Sequence, residues 1–520
     1  MNMQSSIETK YGTTSIPRKS ETDRRSAWSQ ILAVLVNNIM LVSNGMVAGF
    51  PIILIPKLSQ EHFGASSNIT EDQMSWMGSI SFTCSLIGCL VSGFITQPIG
   101  RTRSVQVVAP LLFLAWIIFP FANEVWHIYL ALCLCGFACS LVEAPILAYK
   151  SEVCQPYLRG MLSATSTLSA VTGTLIQIVL GASCHWRTAA LISSSFPALT
   201  CVLLFYIPES PHWLVMHNKE DAAHVSLAWL RGWTTLENVQ DEFEAICCSC
   251  STDIQKSVND SRGNAIEPKP RSKLAAYTKK GFLWPLGLME FIFFLSHFTG
   301  NTTLQTYAVS LFETMRAPMD DFHATVVLGV AEVVGCLISL FFVRAYGKRI
   351  MTFVSLSGIG ICNVVIATYA YRIGVKYLEL DDGTVNSPSS HYHWIPSCLL
   401  ILLAFIGHCG IRVLPWVLLG EVFPHETRAV GCGLGSASYN LMIFLANKLF
   451  INMVNGFTMV GVYVFYAVIS FVGLVYLYVA LPETEGKNLE DVINHFSEVA
   501  MLDNNIQRRD SNKAHYSNVC

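Results

Sequence analysis

Charge is what this sequence has least of. Only 13% of its 520 residues are charged, against 52% hydrophobic, too little to solvate a soluble chain of this size. A basic face interleaved with aromatics is also missing. The net charge of −3 and the scattered cations argue against nucleic acid as a partner. The opening segment is polar and carries Lys10, Arg18, Lys19, Arg24 and Arg25 ahead of any apolar run, so it does not read as a cleavable signal peptide. Cysteine is plentiful, but Cys84, Cys89, Cys133, Cys135 and Cys139 sit inside apolar runs, where a thiol packs as a small hydrophobe. No disulfide framework is implied.

Metal and catalytic patterns are equally scarce. The cluster CCSC at Cys247 to Cys250 lacks a second CxxC or a His pair at zinc spacing, so no metal is expected. No nucleophile-base constellation is visible. The Gly-rich GCGLG at 431–435 has neither a preceding strand nor a phosphate-binding Lys, and reads as a close helix-packing surface. Neither an enzyme nor a cofactor is expected.

What the sequence has in abundance is long apolar runs. Twelve are long enough to cross about 30 Å of hydrocarbon as helices, starting near Gln30, Trp76, Val105, Ile128, Met161, Thr188, Phe282, Ala324, Met351, Ile395, Gly431 and Val460. Counting spans from the N-terminal tail, the loops with Arg101 and Arg103, Lys150 and Arg159, Arg344, Lys348 and Arg349, and Arg428 all fall on the tail's side. By the positive-inside rule that side is cytoplasmic. A multi-pass protein of the plasma membrane with both termini inside is expected, with the bilayer as one partner and the monomer as the working unit. Asn68-Ile-Thr70 is a possible glycosylation acceptor in an outside loop, whereas Asn301-Thr-Thr303 falls at membrane depth.

Three charged signals occur twice in the same order. Gly100-Arg-Thr-Arg103 answers to Gly347-Lys-Arg349, Glu152…Arg159 to Glu421…Arg428, and Pro208-Glu-Ser to Pro482-Glu-Thr. An all-α membrane protein of two six-helix bundles related by a repeat follows from this. The expected division is 1–28 as a cytoplasmic tail, 29–207 as one bundle, 208–280 as a cytoplasmic linker with short helices, 281–481 as the second bundle and 482–520 as a second tail. The repeated signals place Arg101, Arg103, Arg159, Lys348, Arg349 and Arg428 with Glu152, Glu209, Glu421 and Glu483 at the cytoplasmic mouth. Such a network is expected to break and reform as the bundles rock; topology signalling with incidental acids is the plainer reading.

These residues also carry a family resemblance. PESPHWL resembles the PESPRWL of the sugar porter family of the major facilitator superfamily, with His212 in place of Arg, and PETEGKNLEDV resembles its PETKGKTLEEI. RGMLSATSTL, SHFTGNTTLQTYAVSLFE and PWVLLGEVFPHETR match the family's fifth-, seventh- and tenth-helix patterns in spacing, and ITEDQMSWMGSI and CHWRTAAL are similar to insect facilitated trehalose transporters. The resemblance covers residues 30–492 and implies a twelve-helix bundle that moves a sugar by alternating access. It also implies a substrate site at Thr167, Ser296, His297, Thr302, Tyr307, Glu332, Arg412 and Trp416.

Several of those positions depart from the family. Thr167, Ser296, His297 and Thr302 replace amides, Glu332 falls where Asn is common, and Arg412 occupies a glycine position. Gln97 and Arg344 stand where the loop motif usually has Asp. Glu143 and Glu290 add ionisable groups within spans, which are costly there and functional by default. The pair Glu332 and Arg412 admits an interior ion pair, a solvated bystander role or a role with solute. The first span reads VSNGMVAGFP without a carboxylate, which argues for facilitation over proton coupling. The alternatives are a transporter of a charged organic solute, a proton-coupled sugar carrier, and a nontransporting nutrient sensor.

Overall fold

The structure, a computed structural model, describes residues 19–60, 70–248, 277–315, 318–378, 394–424, 427–485, 487, 489–497 and 502. Its elements are helical, and eleven of the helical stretches are long and apolar enough to cross a membrane. The last of these, Val430–Ala480, belongs to a helix, Arg428–Ala480, that breaks at Thr458 (φ 65°). Divided there, it has the length for two passes, which accommodates the twelve spans. The turn is held from outside: the Met459 N–H donates to the Lys376 carbonyl at 2.9 Å.

In the first half, the first span is Lys19–Gln60. The second is broken into Glu71–Met77, opened by a capping box between Thr70 and Gln73, and Ile80–Ile99. Arg101–Ile118, Val125–Val153, Pro156–Ser183 and Trp186–Leu203 follow as the third to sixth. In the second half, the seventh span runs Lys280–Phe298, stops, and resumes as Asn301–Thr306 and Ala308–Thr314. Gly300 makes the break. Its φ of 94° suits a residue without Cβ, and a Cβ there would meet the Tyr466 ring at 2.7 Å. Asp321–Tyr346 and Lys348–Ile373 are the eighth and ninth spans. The tenth, Trp394–Cys409, resumes as Leu414–Leu419 after a turn.

The interior is apolar, with Trp116 packed on Phe50 and Phe119 at ring separations of 5.2 and 5.6 Å. Outward faces are apolar too: Val479 is 84% and Phe341 74% exposed, as expected of surfaces solvated by lipid. Hydrophobicity on both sides explains why the spans lack the one-sided pattern of soluble helices.

The linker's described part forms the short helices Pro211–Met216 and Glu220–Leu230 and a turn at Leu236–Val239. It is fastened to the first half, where the Ser29 hydroxyl donates to the Leu230 carbonyl at 2.7 Å and Trp213 donates to the Gln97 carbonyl at 2.8 Å. The helix Leu489–Phe496 packs instead on the second half through Phe496 and Trp284, 5.5 Å apart. Asn68, Ser249, Cys250 and Val499 lie outside the described residues.

Candidate functional site

The repeated charges build the same device twice. In the first half Gly100, at φ 110°, turns the chain so that the backbone N–H groups of Arg101, Thr102 and Arg103 all donate to the Glu209 carboxylate, at 2.9, 3.0 and 3.2 Å. In the second, Gly347 at φ 82° presents the N–H groups of Lys348 and Arg349 to Glu483, both at 3.1 Å. A carboxylate at a helix N-terminus satisfies orphan donors and complements the helix dipole. Both turns need glycine, because a Cβ on either would run into the carboxylate it presents to.

The second carboxylate of each motif takes the cation. Arg101 binds Glu152 at 2.9 Å, and Lys348, 3% exposed, binds Glu421 at 2.6 Å and Glu485 at 3.3 Å. The residue after the capping Glu then closes the ring: the Ser210 hydroxyl donates to Glu152, and the Thr484 hydroxyl to Glu421 at 2.9 Å. Pro-Glu-Ser and Pro-Glu-Thr therefore recur because each supplies one carboxylate and one hydroxyl to an equivalent lock. These pairs join elements of the same half. Arg349 is also held in its own half, its guanidinium donating to the Tyr478 carbonyl and lying 5.4 Å from the Phe353 and Tyr478 rings. The Arg103 side chain is exposed; those of Arg159, Arg344 and Arg428 are outside the described set.

Lys150 corrects the reading of the loops. It is 1% exposed, inside the first half, and donates to Asn38 of the first span at 2.5 Å and to Ser166 of the fifth. Its partners come from other spans, so nothing adjacent in sequence marks it as interior.

At the opposite end of the molecule the halves are joined directly. Lys448 binds Asp72 at 2.6 Å while its ammonium lies 4.4 Å from the Trp76 ring, and its carbonyl accepts from Ser75 at 3.0 Å. Asn455 donates to Glu71 at 2.9 Å and Asn447 to the Gly78 carbonyl at 3.0 Å. Tyr307, expected at the substrate site, belongs to this seam. It is 2% exposed, donates to the Asn447 carbonyl at 3.2 Å and stacks on Phe450.

Between the two ends lies a polar constellation on the second half. Arg412 donates to Thr302 at 2.8 Å and to the Gln305 side chain at 2.9 Å, and approaches the His297 ring at 3.4 Å. Gln305 passes the contact on, donating to Glu332 at 3.1 Å. His408 stands 4.0 Å from the other oxygen of Glu332. An aromatic wall adjoins these groups, with Tyr439 4.7 Å from His297 and 4.6 Å from Trp416, and Phe293 behind both. His297 Nε2 and the side-chain amide of Asn301 are buried with no hydrogen-bond partner among the described residues, so this wall keeps polar capacity to spare.

Of the expected site residues, the structure thus gathers His297, Thr302, Glu332, Arg412 and Trp416. Ser296 is 2% exposed, inside the seventh span. Thr167 is half-buried on the fifth span. Glu290, also half-buried, lies on the seventh span. Gln305, His408 and Tyr439 were not anticipated; Gln305 follows Thr302 by three residues, the one-turn spacing that could have flagged it.

A family model described as "Sugar (and other) transporter" matches residues 30–496. Among curated proteins, the chain is 25% identical over 481 residues to the facilitated trehalose transporter Tret1 of Bombyx mori, covering 92% of this chain and 88% of that protein. It is 26% identical over 466 residues to Tret1 of Polypedilum vanderplanki, covering 89% and 87%. Among solved structures, the proton:xylose symporter XylE bound to 6-bromo-6-deoxy-D-glucose superposes with a TM-score of 0.68 at 18% identity, over 90% of this chain and 99% of that one. A partially occluded inward-open XylE from E. coli superposes equally, with a TM-score of 0.68 at 16% identity, over 89% and 100%. At these identities the structures establish a shared major facilitator fold.

Proposed function

The chain belongs to the sugar (and other) transporter family, and from that premise we propose that it carries a hexose- or trehalose-like sugar down its gradient by alternating access. The observation that carries the reading is the duplicated lock at one end, set against a direct seam between the halves at the other. Arg101–Glu152 and Lys348–Glu421 close within their own halves, while Lys448–Asp72 closes between them. A direct seam at the second end, with no ion pair between the halves at the first among the described residues, supports an inward-facing molecule with the linker end in the cytoplasm.

Rocking the halves together at the linker end would repartition the same charges across the gap, which is the role the gate residues take in this scheme. The solute would then meet Trp416 and Tyr439 on one side and His297, Thr302 and Gln305 as hydrogen-bonding groups. The protein acts as a monomer of the plasma membrane with both termini inside. Tags at Met1 and Cys520 that label from opposite sides of an intact cell would rule the topology out.

The direct test is uptake of labelled trehalose, glucose and polyols by liposomes holding the purified protein. Saturable entry of one sugar, ending at equal concentrations inside and out, supports facilitated transport. Binding without entry of any of them would favour a nutrient sensor.

A further inference from the structure

We propose that the groove between the eighth and tenth spans binds a sterol, an interaction independent of which solute the protein carries. The groove has a volume of about 440 Å³ and is lined by apolar side chains. One wall is Val327, Val330, Ala331 and Val334 of the eighth span, the spacing of a single helix face. On the other wall Cys398, Ile401, Leu402 and Phe405 of the tenth span repeat that spacing. Gly335 brings the two helices together at the inner end, where a Cβ would lie 2.6 Å from the Phe405 carbonyl oxygen. From this crossing the groove runs toward the end that holds Lys448 and Asp72. Val327 is 42%, Val330 45% and Leu402 43% exposed at a depth where the surroundings are hydrocarbon. What fills the groove therefore comes from the bilayer.

Both stripes end in a residue suited to the water boundary. His323 precedes Val327 by four residues and Trp394 precedes Cys398 by four, which places each on the groove's face of its helix. Both side chains are exposed, and Trp394 is of the type that gathers at membrane interfaces. His323 Nδ1 lies 2.7 Å from Asp320 Oδ2. An imidazole that donates from Nδ1 to a carboxylate presents Nε2 as an acceptor. The distance from His323 to Val334 along the helix is roughly 16 Å, about half of a hydrocarbon core of ~30 Å. The groove is thus an apolar trough one leaflet deep, with a hydrogen-bonding anchor at its mouth.

Two kinds of bilayer component reach such a trough, a phospholipid chain and a sterol, and the sterol fits on two counts. Val327, Val330, Val334 and Ile401 are β-branched and stiff at χ1, so the walls hold one shape. A fused-ring body fills that shape without surrendering the conformational freedom an acyl chain would lose. A sterol also carries a single neutral hydroxyl, which can donate to His323 Nε2. The carboxylates of Asp320 and Asp321 at the mouth repel a phosphate instead. The eighth span connects the groove to the working parts of the molecule. Buried Glu332 lies on the same helix, and a Cβ at Gly329 would lie 3.1 Å from Leu175 of the fifth span. An occupant therefore bears on both the solute site and the contact between the halves.

The test uses the purified full-length protein in detergent with a cholesterol analogue carrying a photoreactive diazirine, and mass spectrometry locates the label. Label should fall within 323–334 or 394–405 and be displaced by excess cholesterol but not by the same excess of phosphatidylcholine. Ala331→Phe and Leu402→Trp fill the groove from opposite walls, and each should cut labelling on the order of tenfold. His323→Leu should cut it about two- to tenfold by removing the hydroxyl's partner. Melting profiles identify the folded variants, and either groove-filling variant suffices. Label confined to other segments would overturn the proposal, as would undiminished labelling in a folded groove-filling variant. Displacement by phosphatidylcholine as effective as that by cholesterol would also overturn it, by making the groove an acyl-chain site. These competition and mapping results are read on the natural protein, so they decide the matter even if neither variant folds.

Discussion

Glu332 and Arg412 are joined through the side chain of Gln305, which donates to the carboxylate at 3.1 Å and accepts from the guanidinium at 2.9 Å. Both charges lie on the same half, so the arrangement is not a latch between halves. It is a compensated pair in which the amide keeps the two ions apart while orienting both.

Removing one member should therefore be costly and removing both should not. Arg412→Gly leaves Glu332, 1% exposed, without its balancing charge, a loss of about 3–5 kcal/mol. Adding Glu332→Gln to that change should restore much of the folded yield, measured by size-exclusion profile and melting temperature. A double variant no better than Arg412→Gly would show that the two charges do not depend on each other.

The duplicated lock predicts an unequal response from equivalent positions. Lys348 is 3% exposed and Arg101 15%, so leaving the lysine short of a partner is the worse insult. Glu421→Gln should lower the melting temperature more than Glu152→Gln, although Glu485 remains near Lys348. The capping carboxylates should behave alike: Glu209→Gln and Glu483→Gln each cost about 0.3–2 kcal/mol. Because they sit in different halves, their effects should add. Equal losses for Glu152 and Glu421 would contradict the difference in burial.

The seam at the other end should respond to charge in its populations more than in its stability. Asp72 is 76% exposed at its side chain, and an exposed pair contributes about 0.2–1 kcal/mol, enough to shift a two-state balance by up to about fivefold. Asp72→Asn and Lys448→Gln should each speed labelling of a cysteine placed at buried Ser79, reached from that side. The exchange Asp72→Lys with Lys448→Asp should reverse the effect. Labelling unchanged in both single variants would show that the seam is held by its neutral contacts alone.

The bundle was legible because charge is rare enough here for each repeated motif to stand out against apolar runs. Even the break at Thr458 fell between runs read as starting at Gly431 and Val460. The anchors were legible as a set, but their partners were not: that Ser210 and Thr484 complete the two locks depends on a loop folding back onto the fourth and tenth spans. Gln305 and Tyr439 escaped notice because a neutral amide and one aromatic among many make no contrast in composition. Lys150 was misplaced for the opposite reason. Beside Glu152 at the end of an apolar run it looked like a loop cation, whereas the folded chain surrounds it with Asn38 and Ser166.

Solute exchange across a membrane tests the central claim most directly. Liposomes holding the purified protein are loaded with unlabelled sugar and diluted into a trace of the same sugar labelled. A carrier that alternates between two faces predicts a transient overshoot of label inside, which grows with the internal load, decays to equilibrium and needs no ion gradient. Label that binds saturably to the protein without ever entering the vesicles would contradict transport.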